Sequence, residues 1–93
     1  MALLDLLSRR WALRILWGLQ TGEPNFRELQ LQCGSISSSV LSDRLRELGE
    51  AEIVAHNGKG YILTPSGRDL VARLLPLREW AEHWHPAATW DPE

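Results

Sequence analysis

Residues 37–46 bring hydroxyl and guanidinium side chains together within about three helical turns. Small side chains at the start of a helix let its backbone approach a phosphate, and the helix dipole favours the negative charge. Arg46 has the donors that match a guanine edge or a phosphate oxygen. The pattern favours contact with nucleic acid; the alternative is that the serines cap a helix and the arginines pair with Glu47 and Glu50 on a solvated surface. The candidate contact residues in this segment are Ser37, Ser38, Ser39, Ser42, Asp43, Arg44 and Arg46.

Three residues outside this segment are further candidates for the same surface: Arg27, Asn57 and Lys59. Lys59 lies beside Asn57 in a predicted hairpin turn, from which it could reach a minor groove or a phosphate. The alternative there is an ordinary turn with one solvated lysine. Within the first segment, Arg44 lies to the side of the polar face and is expected to make a phosphate contact or a structural one.

Cys33 and the histidines are the other candidates for chemistry. Cys33 is the only cysteine, and its position on the apolar face of a predicted helix favours a buried thiol over a redox switch. His83 and His85, with Cys33 or His56, lack a recognised ligand spacing with a second pair, so no metal is expected. No nucleophile–base combination and no glycine-rich phosphate loop is evident in the sequence. Neither catalysis nor a cofactor is therefore expected.

The charge distribution is uneven along a chain that is slightly acidic overall, with a net charge of −2 and a pI of about 5.9. Nucleic-acid binders are usually basic on at least one face. Residues 1–20 carry three arginines and one aspartate, a net +2, whereas residues 61–93 carry three arginines and five acidic residues, a net −2. The acidic final third is therefore expected to face away from a nucleic acid.

The length of 93 residues predicts one domain. No apolar run is long enough to span a membrane, and residues 3–7 are followed rather than preceded by positive charges, so neither a membrane anchor nor a signal peptide is expected. A single cysteine fits a reducing compartment. These features together favour the cytoplasm.

Hydrophobic periodicity and turn residues predict a mostly helical α+β domain. Leu41, Leu45 and Leu48 define the core face of the third helix, and Ile36 is expected to be a buried anchor in the turn before it. Ser37 and Thr64 are predicted helix caps, and the Asn57-Gly58 pair is expected to supply the positive φ angles of a hairpin turn. The predicted elements are helices at 5–20, 26–33 and 37–50, strands at 53–56 and 61–63, and a last helix from 65 to about 84, in which Pro76 could cause a kink.

This order is the plan of a winged helix-turn-helix with a two-stranded wing, to which a third strand could be added. Five segments in the same order resemble the HxlR type of transcriptional regulator. They are RWALRIL at 10–16, NFREL at 25–29, IS at 36–37 with LSDRLREL at 41–48, YILTPSG at 61–67 and LPLREWA at 75–81.

The resemblance implies a DNA-binding homodimer whose terminal helices form the dimer contact, with a domain at 1–85 and a flexible tail at 86–93. The sequence departs from the family pattern in three places. It lacks the cysteine that many members carry before the first helix, which weakens a thiol-sensor interpretation. His56 replaces a basic residue at the base of the wing, and Glu52 replaces a glycine after the recognition helix, so a shifted helix end is expected.

Candidate dimer contacts come from the apolar residues at both ends of the domain. Five tryptophans are more than one small core readily buries, and aromatic residues concentrate at interfaces. The alternative is that the last helix packs on the first within one chain. The candidates are Leu3, Leu4, Leu7, Trp11, Leu77, Trp80 and Trp84.

The expected function is transcriptional regulation by a homodimer bound to an inverted-repeat operator in double-stranded DNA. A winged-helix protein-interaction module with weak or lost DNA binding is the alternative that the acidic charge favours. A third hypothesis is a switch gated by a ligand in an apolar pocket under the tryptophans, or by oxidation of Cys33. The sequence identifies neither the effector nor the sign of regulation.

Overall fold

A computed structural model describes residues 2–84, in which five helices surround one core and a two-stranded antiparallel sheet forms the wing. The fold is mostly helical and has the predicted winged helix-turn-helix order. The predicted tail at 86–93 lies outside the described residues. The elements are α1 (Ala2–Leu7), α2 (Ala12–Gly18), α3 (Phe26–Gln32), α4 (Ser38–Glu50), β1 (Val54–His56), β2 (Tyr61–Leu63) and α5 (Pro65–Glu82).

The predicted single helix at 5–20 is wrong, because the chain breaks between α1 and α2. Trp11 adopts a φ of 79°, in the left-handed region that bulky residues avoid, and no side chain caps α2. A straight helix would place Leu6 on the side opposite to Ile15, which is fully buried. The break lets α1 pack Leu6 and Leu7 against the core, and the guanidinium groups of two neighbouring arginines lie over the Trp11 ring.

The core lies between α2, α3, α4 and the start of α5. The predicted core face of α4 is confirmed, since Leu41, Leu45 and Leu48 are all buried. Ile36 is also buried, as expected for the anchor of the turn. The remaining buried apolar residues are Ala12, Ile15, Leu16, Leu19, Leu29, Cys33, Ile53, Val54, Leu63 and Val71.

Local hydrogen bonds fix the helix starts. Ser37 Oγ accepts from the Val40 amide at 3.2 Å, and Thr64 Oγ1 accepts from the Gly67 amide at 3.0 Å, so both predicted caps are confirmed. The start of α3 has a reciprocal cap that the sequence analysis did not identify. There the Asn25 side chain accepts from the Glu28 amide while the Glu28 carboxylate accepts from the Asn25 amide, both at 2.8 Å.

The wing is a short hairpin in which Val54 pairs with Leu63 and His56 with Tyr61. Of the Asn57-Gly58 pair, only Gly58 takes a positive φ, of 91°. Asn57 instead uses its side-chain oxygen, which accepts from the amides of residues 59 and 60 at 2.9 and 3.0 Å. Within residues 2–84 no third strand forms, because Pro24 contributes one carbonyl bond to the Tyr61 amide and has no N–H to extend a ladder.

The shifted helix end that the sequence predicted does not occur, since α4 runs to Glu50 and keeps Gly49 within the helix. Glu52 itself adopts the left-handed conformation, with a φ of 60°. Its amide donates to the Gly49 carbonyl at 2.9 Å, and the Ile53 amide donates to the Leu48 carbonyl at 3.0 Å. These two bonds form a Schellman motif, in which glycine is the preferred residue at the left-handed position.

Replacing Glu52 with glycine is therefore expected to stabilise the fold. Glycine removes the strain of a left-handed residue that carries a Cβ, but it also increases the conformational entropy of the unfolded chain. The first effect is the larger, and the expected net gain in the free energy of unfolding is about 1 kcal/mol. Urea denaturation of Glu52→Gly and Glu52→Ala would measure it. Alanine retains the Cβ, so an equal gain in both variants would assign the effect to the lost charge instead.

The last helix, α5, leaves the core before its middle. Val71 is its last buried residue, and every residue from 76 to 84 is exposed. Near the exit, Arg78 donates to the Gln20 side chain at 3.1 Å and lies over the Trp17 ring, which attaches α5 to α2. The helix beyond that point has no partner among residues 2–84.

Candidate nucleic-acid interface

The turn between α3 and α4 fixes the angle of the helix-turn-helix. Gly34 and Ser35 both take left-handed conformations, with φ of 79° and 62°. The Gln30 side chain donates to the Ile36 carbonyl at 2.8 Å, and the Ser35 amide donates to the Gln30 carbonyl at the same distance. Gln30 is not predicted from the sequence, because a glutamine in a short helix gives no local signal of a bond that crosses a turn.

The outer face of α4 is polar from end to end. Ser39, Asp43 and Arg46 recur at helical spacing opposite the three buried leucines, and Ser38 and Ser42 flank them. All five are exposed. Ser37 is committed to its capping bond, and its hydroxyl lies 3.4 Å from that of Ser39. The structure thus brings the predicted serines and Arg46 together on one exposed surface.

Arg46 lies between two carboxylates on this face. Its guanidinium is 3.4 Å from Asp43 Oδ1 and 3.9 Å from Glu50 Oε2, and more than half of each side chain is exposed. Exposed pairs of this kind contribute about 0–1 kcal/mol. Arg46 is therefore oriented by its neighbours but free to exchange them for a stronger acceptor.

Arg44 has a different environment from Arg46. Its side chain is only 14% exposed, and its guanidinium hydrogen-bonds the Glu47 carboxylate. Glu47 also lies 3.9 Å from Arg9, in the link between α1 and α2. The Arg44 Nε is buried without a hydrogen-bond partner within the described residues. These contacts give Arg44 the structural role that was one of its two predicted alternatives.

The wing presents one cation. Lys59 is exposed at the turn and forms no ion pair within residues 2–84, whereas the Asn57 oxygen is already occupied by turn amides. His56 is held within the hairpin: its Nδ1 accepts from the Gly58 amide at 3.1 Å, and its ring meets Tyr61 edge-on. Arg27 is exposed on α3 and likewise has no ion pair in the described part of the chain.

A second surface is apolar and lies at the ends of the domain. Its first part, at and just beyond the end of α5, is formed by Leu77, Trp80 and Trp84, each more than half exposed, and the two indole rings stack at 5.9 Å between centroids. On α1, Leu3 and Leu4 are exposed at 38% and 58%. Of the other candidates, Leu7 and Trp11 are half-buried against the core.

A groove of about 570 Å³ separates α1 from the junction of α4 and α5. Leu3, Leu6, Ile53 and Leu70 form most of its apolar wall. None of the residues that line this groove is a tryptophan, so the hypothesis of an apolar pocket under the tryptophans stays a prediction.

Cys33 and the histidines do not form a reactive site in the described region. Cys33 is 1% exposed, and burial raises the pKa of its thiol, an effect that the charge of Arg14 partly offsets. No group of residues within 2–84 is arranged to hold a metal ion, and His85 lies outside that range. No described helix is long and apolar enough to cross a membrane.

Known proteins share both the sequence pattern and this geometry. The model of the HxlR-like helix-turn-helix family matches residues 6–89. The Bacillus subtilis HTH-type transcriptional regulators YvaP and YodB are 32% and 31% identical over 87 residues, covering 86% of this chain and 81% and 78% of theirs.

Solved structures agree. Quinone-bound YodB superposes with a TM-score of 0.79 at 32% identity, covering 89% of this chain and 93% of its own. A possible HxlR family transcriptional factor from Thermoplasma volcanium superposes with a TM-score of 0.80 at 28% identity, covering 88% and 80%. The chain therefore belongs to the HxlR-like helix-turn-helix family, whose members are DNA-binding transcriptional regulators and not enzymes.

Proposed function

We propose that the protein regulates transcription in the cytoplasm as a homodimer bound to an inverted-repeat operator in double-stranded DNA. The observation that carries this is the exposed polar face of α4, with small serines at its start and Arg46 in its second half. The serines let the helix approach the major groove closely, and Arg46 is placed to contact a guanine or a phosphate. Lys59 on the wing and Arg27 on α3 add flanking phosphate contacts.

The dimer follows from the apolar surface at the ends of the domain. Leu77 and Trp80 lie at i and i+3 near the end of α5, and Trp84 follows two residues beyond it; this exposed stripe has no partner among residues 2–84. Exposed aromatic stripes of this kind mark protein contacts. In the dimer, the two copies of α4 would enter successive major grooves about one helical turn apart.

A mobility-shift experiment on the DNA flanking the gene tests the proposal. Wild-type protein is expected to shift this DNA with an affinity that falls steeply with salt, because phosphate contacts release counterions. Arg46→Ala is expected to weaken binding at least about tenfold. Arg73→Ala removes a more exposed arginine, paired with Asp69 on α5, and serves as the matched control.

Absence of any shift, or an affinity that does not change with salt, would contradict DNA binding. The alternative function, a protein-interaction module, would then be favoured, because the two carboxylates beside Arg46 make this face acidic and suit a protein partner better than DNA.

We further propose that regulation does not use a thiol. YodB has been solved with quinone bound, but the only cysteine of this chain is buried in the core. Because the buried thiol has a raised pKa, little thiolate is present at neutral pH and reagents cannot reach it.

Cys33 is therefore expected to react with iodoacetamide at neutral pH only at the rate at which the domain opens. Addition of urea should accelerate the reaction in step with unfolding. Mass spectrometry of the alkylated protein measures this, with glutathione as the reference for a free thiol. Rapid modification of the folded protein would contradict the assignment.

A further inference from the structure

The carboxylate of Asp43 occupies the middle of the surface that would meet DNA. It lies in the first half of the 13-residue helix α4, between Ser39 one turn earlier and Arg46 one turn later, and it is 56% exposed. Phosphates repel a carboxylate at this position, so its presence opposes general DNA binding. A carboxylate that faces a major groove is accommodated only where the groove offers it a donor.

Arg46 and Asp43 present a donor group and an acceptor group side by side. The guanidinium lies 3.4 Å from Asp43 Oδ1, and the two residues are three positions apart on the helix. Three residues rise about 4.5 Å along a helix, close to the spacing of about 3.4 Å between base pairs in DNA. The two groups can therefore reach one base pair or two adjacent pairs.

The base edges that match this combination are those of guanine and of a base with an exocyclic amine. Guanine offers the O6 and N7 acceptors for an arginine, whereas cytosine and adenine offer the N4 and N6 amines for a carboxylate. Guanine and thymine present no donor in the major groove, so neither base gives Asp43 a partner. The environment of Arg44 strengthens this assignment, because its bond to Glu47 leaves Arg46 as the one exposed cation of α4.

We infer that Asp43 is a specificity-determining residue, which restricts one position of each half-site to cytosine or adenine, paired with or next to the guanine that Arg46 contacts. Asp43 can read a base only if α4 enters DNA, so the inference rests on the proposed function. Its carboxylate lowers affinity for every sequence and recovers the loss only where the amine of cytosine or adenine donates to it. Glu50, the other carboxylate beside Arg46, lies in the last turn of α4 and is assigned repulsion without base recognition.

Selection from a pool of randomised duplexes tests the inference without a known operator. Wild-type protein is expected to enrich a sequence with one position per half-site held to cytosine or adenine, where replacement by guanine or thymine costs about tenfold in affinity. For Asp43→Ala, the same replacement should cost less than about threefold, while binding to unrelated DNA should become tighter. Glu50→Ala should tighten binding to all sequences and keep the preference at this position.

The control is Asp69→Ala, which removes an equally exposed aspartate paired with Arg73 on α5 and should leave the selected sequence unchanged. Thermal melting of each variant confirms folding, since all three side chains are exposed. The inference is overturned if Asp43→Ala selects the same sequence with undiminished discrimination at every position. If wild-type protein selects no sequence at all, the proposed function itself is wrong and the inference falls with it.

Discussion

Replacing Gly67 with alanine is expected to lower the free energy of unfolding by about 2–3 kcal/mol, the range of a strong steric insertion into a packed interior. Gly67 lies in the first turn of α5, against Ile53, which lies three residues after the end of α4. A Cβ there would overlap the Ile53 carbonyl oxygen and would lie 3.2 Å from the Ile53 side chain.

The Ile53 carbonyl cannot move aside cheaply. It accepts from the Thr64 amide at 3.0 Å and lies 3.2 Å from the Thr64 hydroxyl, which also donates to the Glu52 carbonyl at 2.6 Å. Displacing it would loosen the attachment of α5 to the wing. Alanine would otherwise favour the helix by about 1 kcal/mol, so the net loss measures the steric overlap.

Gly49→Ala is the matched control. Gly49 also lies within a helix, but its added Cβ would meet only the Val54 carbonyl oxygen, at an ordinary 3.8 Å. This substitution is expected to raise stability by about 0.5–1 kcal/mol through helix propensity. Urea denaturation of both variants gives the two values. A Gly67→Ala protein as stable as wild type would show that the close approach in the structure is wrong.

Replacing Trp80 with glutamate is expected to separate the proposed dimer. Each protomer loses a large exposed aromatic side chain and gains a charge in the stripe, and both copies contribute to one interface. The dissociation constant of the dimer should rise at least about 100-fold, since a central tryptophan typically contributes 2 kcal/mol or more per copy. Sedimentation velocity over a concentration series measures this directly.

Folding and DNA binding should respond differently to this substitution. Trp80 is 60% exposed and outside the core, so the melting temperature extrapolated to low protein concentration should change little. Operator affinity should fall with dimerisation, because one protomer contacts only one half-site. Ala72→Glu places a carboxylate on another face of α5 and should leave the dimer intact. A dimer that survives Trp80→Glu would refute the α5 interface.

Helix caps and core faces are predictable from this sequence where the structural signal is local. Ser37 and Thr64 are caps because each side chain bonds an amide three residues later, and the leucines of α4 follow the period of a single helix. The break at Trp11 was missed for the opposite reason. Because apolar residues lie on several sides of the 5–20 segment, the pattern does not show that the buried face changes direction between α1 and α2. This change becomes visible only when both helices pack on one core.

The candidate site was predicted less completely than the fold. Residue types and spacing placed Arg46 on the exposed face and offered Glu47 as a partner for an arginine, but the burial of the Arg44–Glu47 pair depends on how the α1–α2 link approaches α4. The left-handed conformation of Glu52 was missed as well, because helix termination at that residue is imposed by packing and not by its own preference.

The Thr64 hydroxyl joins two parts of the domain that serve different ends of the molecule. It bonds the Glu52 and Ile53 carbonyls directly after α4, and it also caps α5, whose far end carries the exposed tryptophans. Because these bonds fix the start of α5 to the chain that follows α4, the two helices are expected to move as one rigid unit. In a dimer held by α5, a small change in the angle between protomers would therefore alter the distance between the two copies of α4. A regulatory signal that acts on the α5 contact would then change DNA binding from a site far from the DNA.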